Sequence, residues 1–465
     1  MCGIFGIVGE RASRHAGSSG RRAVEHRGPD AEGLWTDGKV VFAHSRLSIL
    51  DLSADANQPF FQNEQQVITY NGEIFNFEEL RRELATDFQF KTSSDTEVLY
   101  RLLGKWGRQG LSRLNGMFAF GYYDRTQRKL LLVRDRFGIK PLYFFHDHRG
   151  LIFSSEQKAI YPLIEEGIDE RALAEHLSFK CVSGQRTLVR GVSELRPGHW
   201  LELDVATNRL SVEQWYEMPR EREQATTDLV ESTEYLLEDA VRLRLISDVP
   251  VGLQLSGGVD SSIIAYLVSN KAGKKLNSYS IGFPGDDQDE SKYAEKVSAQ
   301  LGLNHHPIEF TARDFMELWE QAIYHNDEPI NHPHSLPIFK LSQVARQDVT
   351  VLLSGEGADE TFLGYEHHRR YLNLASLKEA CAFHQFLPLK VVQQMLGNSA
   401  LTVTDQLGGR QDCVKGSSAK SGNAKHVVEF SLHLNSLLNR IDKMSMAHAM
   451  EIRTPFWTTG LLNEV

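Results

Sequence analysis

The sequence opens MCGIFGIVG (residues 1–9), and the way Cys2 is read decides what the first half of the chain can be. Removal of Met1, which a small second residue permits, leaves Cys2 with a thiol and a free α-amine. An α-amine titrates at about 7.7–8.0 and a thiol at about 8.5, so the amine can take the thiol proton, directly or through a water. The thiolate is the attacking form, and it needs such a base. Cys2 is therefore a candidate nucleophile that carries its own base. A cysteine at this position is more often accidental, so the surrounding residues have to decide.

Length and composition set the outer bounds. At 465 residues the chain has room for two or three domains of roughly 150 residues each. Hydrophobic residues at 41% and charged residues at 24% are ordinary for a globular chain with real cores. No apolar run is long enough to span a membrane. The opening also lacks the basic stretch and apolar core of a signal peptide, so a cytoplasmic location and no membrane partner are expected. The four cysteines, Cys2, Cys181, Cys381 and Cys413, are scattered without a C-x-x-C pair, which argues against a structural zinc site or a disulfide framework. A net charge of −10 argues against a nucleic-acid partner. Small molecules are the expected substrates.

Short apolar or alternating runs fill the first two hundred residues: VVFAHSRLSILD (40–51), QQVITYNGEIFN (65–76), MFAFGYYD (117–124), KLLLVRD (129–135), PLYFFHD (141–147) and LIFSS (151–155). Turn-forming Gly, Asp and Asn separate them, as between strands. FEELRREL (77–84) and TEVLYRLLGKWG (96–107) have helical spacing, with Leu99, Leu102, Leu103 and Trp106 on one stripe. Strands with helices packed outside make an α+β layered domain. MPREREQATTD (218–228) is polar and aperiodic and reads as a linker. Beyond it strands alternate with helices: VPVGLQLS then SSIIAYLVSN, LNSYSIGF then KYAEKVSAQLG, HHPIEF then FMELWEQAIYH, and VTVLLSG after KLSQVARQ. That alternation predicts an α/β doubly wound parallel sheet with ligands beyond the carboxyl ends of its strands. CVKGSSAKSGNAK (413–425) reads as a loop.

Downstream of Cys2 stand HRGPD (26–30), HSRLSILD (44–51), YNGEIFN (70–76) and SSDTEV (93–98). Together these resemble the glutaminase domain of class II amidotransferases, a group of N-terminal nucleophile hydrolases. The resemblance implies an αββα sandwich over residues 2–212. It implies that Arg46 binds the α-carboxylate of glutamine and that Glu73 and Asp95 receive its ammonium group. A zwitterion needs partners of both signs, and Arg suits a carboxylate. Asn71 and the backbone N–H of Gly72 would form the oxyanion hole for attack by Cys2. Each residue also has a plainer reading: Arg46 as a surface ion pair, Asn71-Gly72 as a hairpin turn, Asp95 as a helix N-cap. The joint pattern outweighs them. His26, Arg27 and Asp30 would buttress the site.

QLSGGVDSS (254–262) stands where a strand meets a helix, a place where glycines and helix N–H groups favour phosphate. Without the lysine of G-x-x-x-x-G-K-[ST] it is not a Walker loop. It resembles the pyrophosphate loop of ATP pyrophosphatases, and with LLSGEGADE (352–360) it is similar to asparagine synthetases. That likeness implies ATP contacts from Leu255, Ser256, Gly257, Gly258, Asp260, Ser261, Ser262, Ile281, Ser354 and Gly355. Asp260 and Asp359 would be Mg²⁺ ligands, since that ion takes one or two carboxylates plus phosphate oxygens. Glu356 would lie close to the reacting acyl group. LLNRIDKMSMAHAMEIRTPF (437–456) would form a helix returning to this site, with Met444, Met446 and Met450 on a buried face. DEPINHPHSLPIFKLS (327–342) would supply part of the acceptor wall, with His332 and His334 in an ordinary loop and not in a metal site.

The two resemblances imply a synthetase domain at 213–465 and a glutamine-dependent asparagine synthetase acting on glutamine, aspartate and ATP. Two alternatives stay open: an amidotransferase acting on another carboxylate, such as a sugar uronic acid in surface-polysaccharide synthesis, or a short chain with impaired synthetase activity. The family pattern continues past EIRTPF with a lysine-bearing segment, and 371–425 is short for it. A shielded passage for ammonia between the two sites is expected. A homodimer is compatible with the sequence.

Overall fold

The computed structural model describes every residue except 1, 219–227, 288, 375, 404, 406, 408, 409, 411–421 and 465. Most of the linker read at 218–228, and 413–421 of the stretch read as a loop, lie outside the described residues. From Gly422 the chain is already helical, so residues 422–425 are not loop.

In the first half the strands are β1 (Cys2–Gly9), β2 (Ala31–Thr36), β3 (Val40–Arg46), β4 (Gln66–Ile74), β5 (Gly116–Asp124), β6 (Lys129–Arg134), β7 (Tyr143–Asp147), β8 (Gly150–Ser154), β9 (Val192–Glu194), β10 (His199–Asp204) and β11 (Arg209–Gln214). They form two sheets, ordered β2-β3-β1-β8-β7-β9 and β11-β10-β6-β5-β4. Every pairing within them is antiparallel. β5 shows why the sheets stack. Phe118, Phe120 and Tyr122 pack on Leu80, Leu84, Leu99 and Leu102 of the helices Phe77–Leu84 and Asp95–Trp106. The alternate residues Ala119 and Tyr123 pack on Ile4, Phe42 and Phe153 of the other sheet. A strand buried on both faces, with period two, requires this layering. On the far side, Phe5, Ile7 and Ala43 meet Ala16 of the helix Arg14–Ala23. The result is an αββα sandwich.

The second half carries β12 (Val251–Gln254), β13 (Asn277–Gly282), β14 (Asn304–Glu309), β15 (Val351–Leu353) and β16 (Glu451–Arg453), in the order β14-β13-β12-β15-β16. All its pairings are parallel. Val351 and Leu353 join one apolar cluster, and Leu352 between them joins another, so the sheet is covered on both faces. Strand order reverses between β12 and β15, which opens a crevice beyond their carboxyl ends. QLSGGVDSS follows the first of these strands and LLSGEGADE ends the second. The long helix Gly422–Met446 buries Met444 and Met446 but stops there; Met450 is buried just past the turn that follows, off the helix and next to β16. Its side chains Leu434 and Leu438 pack with Phe75, Met117, Phe137 and Ile139 of the sandwich, joining the two halves. Among the described residues no helix is long and apolar enough to cross a membrane.

Candidate functional site

Cys2 starts β1 and is buried, on the same parity as Ile4 and Val8, which face the other sheet. Asn71 sits on β4 with the parity of Val67, another inter-sheet residue. The two therefore meet at the open end of the sandwich. The Cys2 backbone nitrogen donates to Asn71 Oδ1 at 2.9 Å. That bond orients the amide and leaves Asn71 Nδ2 buried with no protein partner among the described residues. A buried unpaired donor costs about 1–3 kcal/mol, so it marks a place where a ligand oxygen is wanted. Asn71-Gly72 is no hairpin turn: both residues lie inside β4, opposite Ala119 and Phe118 of β5. A Cβ at Gly72 would stand 2.1 Å from the Met117 carbonyl oxygen, so only glycine fits.

Arg46 pairs directly across from Cys2 in the β1–β3 register and is buried, which rules out a surface ion pair. Its Nη1 donates to the Ser53 carbonyl and Asn57 Oδ1, both at 2.8 Å, and its Nη2 to the Leu50 and Asp51 carbonyls. With the terminal N–H groups engaged this way, Arg46 offers the cavity its charge and not a bidentate fork. Asp95 is not a cap. Ser94 caps the helix through Thr96 N–H, while Asp95 Oδ2 accepts from Tyr70 Oη at 2.7 Å and Ile74 N at 3.0 Å. Burial raises Asp95 above the usual carboxylate range. Glu73 is pushed well up by burial and then by the charge of Asp95. The Arg453 guanidinium, at 3.5 Å from Glu73 Oε1, offsets this only in part. Cys2, Arg46, Gly72, Glu73 and Asp95 line one narrow cavity, so two crowded acids face a space that suits a cation.

Behind the nucleophile, Arg27 Nε donates to the Cys2 carbonyl at 3.1 Å, and Arg27 Nη1 to Glu156 Oε1 at 2.8 Å. His26 Nε2 lies 3.0 Å from the same Glu156 oxygen. Nothing in the sequence around Glu156 marks it as a partner of HRGPD. Arg453 and Asp442 lie in the EIRTPF-bearing stretch, but their reach into the first half is likewise invisible in sequence.

The crevice of the parallel sheet holds about 590 Å³, within the usual range for small-molecule pockets. Ser256, Asp260, Ser261, Ser354, Gly355, Glu356 and Asp359 line it, as do His332 and His334. Ser256 and Ser261 are joined Oγ to Oγ at 3.0 Å, and Ser262 Oγ donates to the Gly258 carbonyl at 2.7 Å, closing the turn into the helix Val259–Tyr266. Gly257 has φ +84°, and a Cβ there would lie 2.4 Å from the Ala294 nitrogen. Leu255 and Ile281 stand apart from the lining. Leu255 is wholly buried in the core with its N–H on the Tyr279 carbonyl, and Ile281 packs against the cluster on the other face.

Asp260 is raised by burial and then by the charges of Asp359 and Glu356. Arg440 comes no closer to Glu356 than 3.9 Å. Among the described residues no three His, Cys, Asp or Glu side chains are grouped to hold a metal by themselves, His332 and His334 included. Crowded carboxylates facing a cavity do fit a hard cation that completes its shell with phosphate oxygens, as Mg²⁺ does.

Comparison with known proteins covers both halves. Residues 1–216 match the family described as glutamine amidotransferase domain, and residues 232–465 match asparagine synthase. A putative asparagine synthetase (glutamine-hydrolyzing) 2 of Methanocaldococcus jannaschii is 34% identical over 395 residues, covering 79% of this chain and 76% of that one. Asparagine synthetase (glutamine-hydrolyzing) 1 of Bacillus subtilis is 30% identical over 502 residues, 98% and 79% of the two chains. Asparagine synthetase B (glutamine-hydrolyzing) of Escherichia coli is 32% identical over 400 residues, 82% and 67%. Similarity that runs through both sites and most of the length places this chain in the asparagine synthase family, with an amidotransferase half at its amino end.

Proposed function

We propose that the chain is a glutamine-dependent asparagine synthetase, converting glutamine, aspartate and ATP into asparagine, glutamate, AMP and pyrophosphate in the cytoplasm. The observation that supports the reading is the Asn71 amide, whose oxygen is held by the Cys2 nitrogen and whose N–H is buried with no partner among the described residues.

Once Met1 is removed, the Cys2 amine accepts the thiol proton and the sulfur attacks the carboxamide carbon of glutamine. Asn71 Nδ2 and the Gly72 N–H receive the oxyanion. Glu73 and Asp95 hold the ammonium of the substrate, and Arg46 its α-carboxylate. The C–N bond breaks as the amine returns a proton to the leaving nitrogen, so ammonia departs and a thioester remains. Water then cleaves the thioester to glutamate and restores the thiol. In the crevice, an oxygen of the aspartate side-chain carboxylate attacks the α-phosphorus of ATP and pyrophosphate leaves. Ser256, Gly257, Gly258, Ser261 and Ser262 cradle the phosphates, and Ser354 and Gly355 border the nucleotide. Asp260 and Asp359 would hold Mg²⁺, which supplies positive charge to the departing pyrophosphate. Glu356 lies by the acyl group, where it can take a proton as ammonia attacks, displaces AMP and forms the amide. Ammonia would pass between the halves near Arg453, which borders Glu73 on one side and whose carbonyl binds Ser354 N–H at 2.9 Å on the other.

Glutamate, AMP and pyrophosphate are assayed with glutamine and ATP, with and without aspartate. AMP and asparagine that appear only with aspartate support the reading. AMP formation that ignores aspartate but follows another carboxylate, such as a uronic acid, overturns the acceptor assignment while leaving the two-site scheme.

A further inference from the structure

Arg27 is fully buried, and each arm of its guanidinium has a partner. Nε holds the Cys2 carbonyl and Nη1 holds Glu156, while Nη2 donates at 2.7 Å to Asp442 Oδ2, a residue 415 positions away on the long helix. The other oxygen of Asp442 takes Lys140 Nζ at 3.2 Å. The next residue, Lys443, lies 3.3 Å from Asp327. Asp327 in turn accepts the N–H groups of Gln157 and Lys158, at 2.9 and 3.2 Å, in the turn just after Glu156. Two consecutive residues of one helix thus secure both Arg27 and the segment that carries its second partner. Two residues before Asp442, Arg440 faces Glu356 in the crevice at 3.9 Å. Four residues of helix span about 5 Å along the axis, so this segment moves as a unit. Buried charges of this kind tolerate few alternative arrangements, because loss of one leaves its partner unpaired in a low-dielectric interior.

We infer that Asp442 is a positioning residue through which the crevice sets the nucleophile. Ligand charge at Glu356 and Arg440 bears on the helix, and the Asp442–Arg27 pair carries that bias to the Cys2 carbonyl and the start of β1. Glutamine hydrolysis is thereby tuned to occupancy of the crevice, without Asp442 touching glutamine. The inference rests on the glutaminase reading of Cys2.

The test is Asp442→Asn in the full chain, which keeps the shape and one acceptor but removes the charge that Arg27 and Lys140 share. Expected is a fall in kcat for glutamate release of at least about tenfold, with KM for glutamine within about twofold and ammonia-dependent AMP formation within about twofold of wild type. Wild-type glutamate release rises when ATP and aspartate are added, and the variant loses this response. Lys140→Gln, which leaves the Arg27–Asp442 pair in place, lowers kcat less than about threefold. Should the single variant not fold, Asp442→Asn/Lys140→Gln, which removes one charge of each sign, carries the same expectation. The inference is overturned if kcat and the response persist in the variant, if wild type shows no response, or if ammonia-dependent activity falls in equal proportion. Cys2→Ala is run alongside. If it retains glutamate release, the glutaminase reading fails; if it loses release while Asp442→Asn is silent, only the positioning role fails.

Discussion

At Asn71 the amide oxygen is taken by the Cys2 nitrogen, and the amide N–H is buried without a partner among the described residues. If that N–H meets only the oxyanion, its removal should slow chemistry more than binding. Asn71→Ala is expected to lower kcat for glutamate release by about 10²–10³, with KM changed only a few-fold. Glu73 makes a second prediction. Burial and the neighbouring Asp95 hold its carboxyl well above the ordinary range. A proton there competes with the ammonium of glutamine, so KM for glutamine should climb as pH falls, beginning at a higher pH than an exposed carboxylate would allow. A KM flat across that range would contradict the assignment. Arg46, Asn71, Glu73 and Asp95 were legible in sequence because each lies in a short local motif. Glu156 and Asp442 were not: they reach Arg27 across 129 and 415 positions, and nothing local signals such partners.

Elements with strong periodicity were equally legible. β5 alternates as MFAFGYYD suggests, and the strand–helix repeats of the second half give a parallel sheet. Strands β2, β9, β10 and β11 have no counterpart among the runs read from the sequence: β9 has three residues, β2 has no fully buried position, and β11 is largely exposed. MCGIFGIVG hides a central strand, since it is buried on both faces and shows little alternation. The turn after β12 offers a clean test of the crevice. Gly257→Ala combines a left-handed φ with a Cβ 2.4 Å from the Ala294 nitrogen. It should abolish ammonia-dependent AMP formation, while glutamate release, measured in the same preparation, stays within about threefold of wild type.

The two halves share apolar packing around Trp457 and a buried set of charges, so the molecule should respond to acid as a whole. His44, wholly buried with Nε2 on the Tyr70 carbonyl, is lowered to about 3 by burial. It stays neutral in the folded chain between that value and its ordinary 6.5, whereas the unfolded chain takes up the proton. The folded state therefore binds fewer protons in this window, and stability falls with pH by about 1.4 kcal/mol per unit for this group alone. Thermal unfolding should show a declining Tm below about pH 6, and His44→Gln should flatten part of that slope. The most direct measurement of the central claim follows nitrogen. Wild type and Cys2→Ala are given glutamine labelled with ¹⁵N in the amide, ATP and aspartate, and then labelled ammonium in place of glutamine, with asparagine read by mass spectrometry. The account predicts label in asparagine from both sources for wild type and from ammonium alone for Cys2→Ala; label passing from glutamine in the variant, or from neither source, would contradict it.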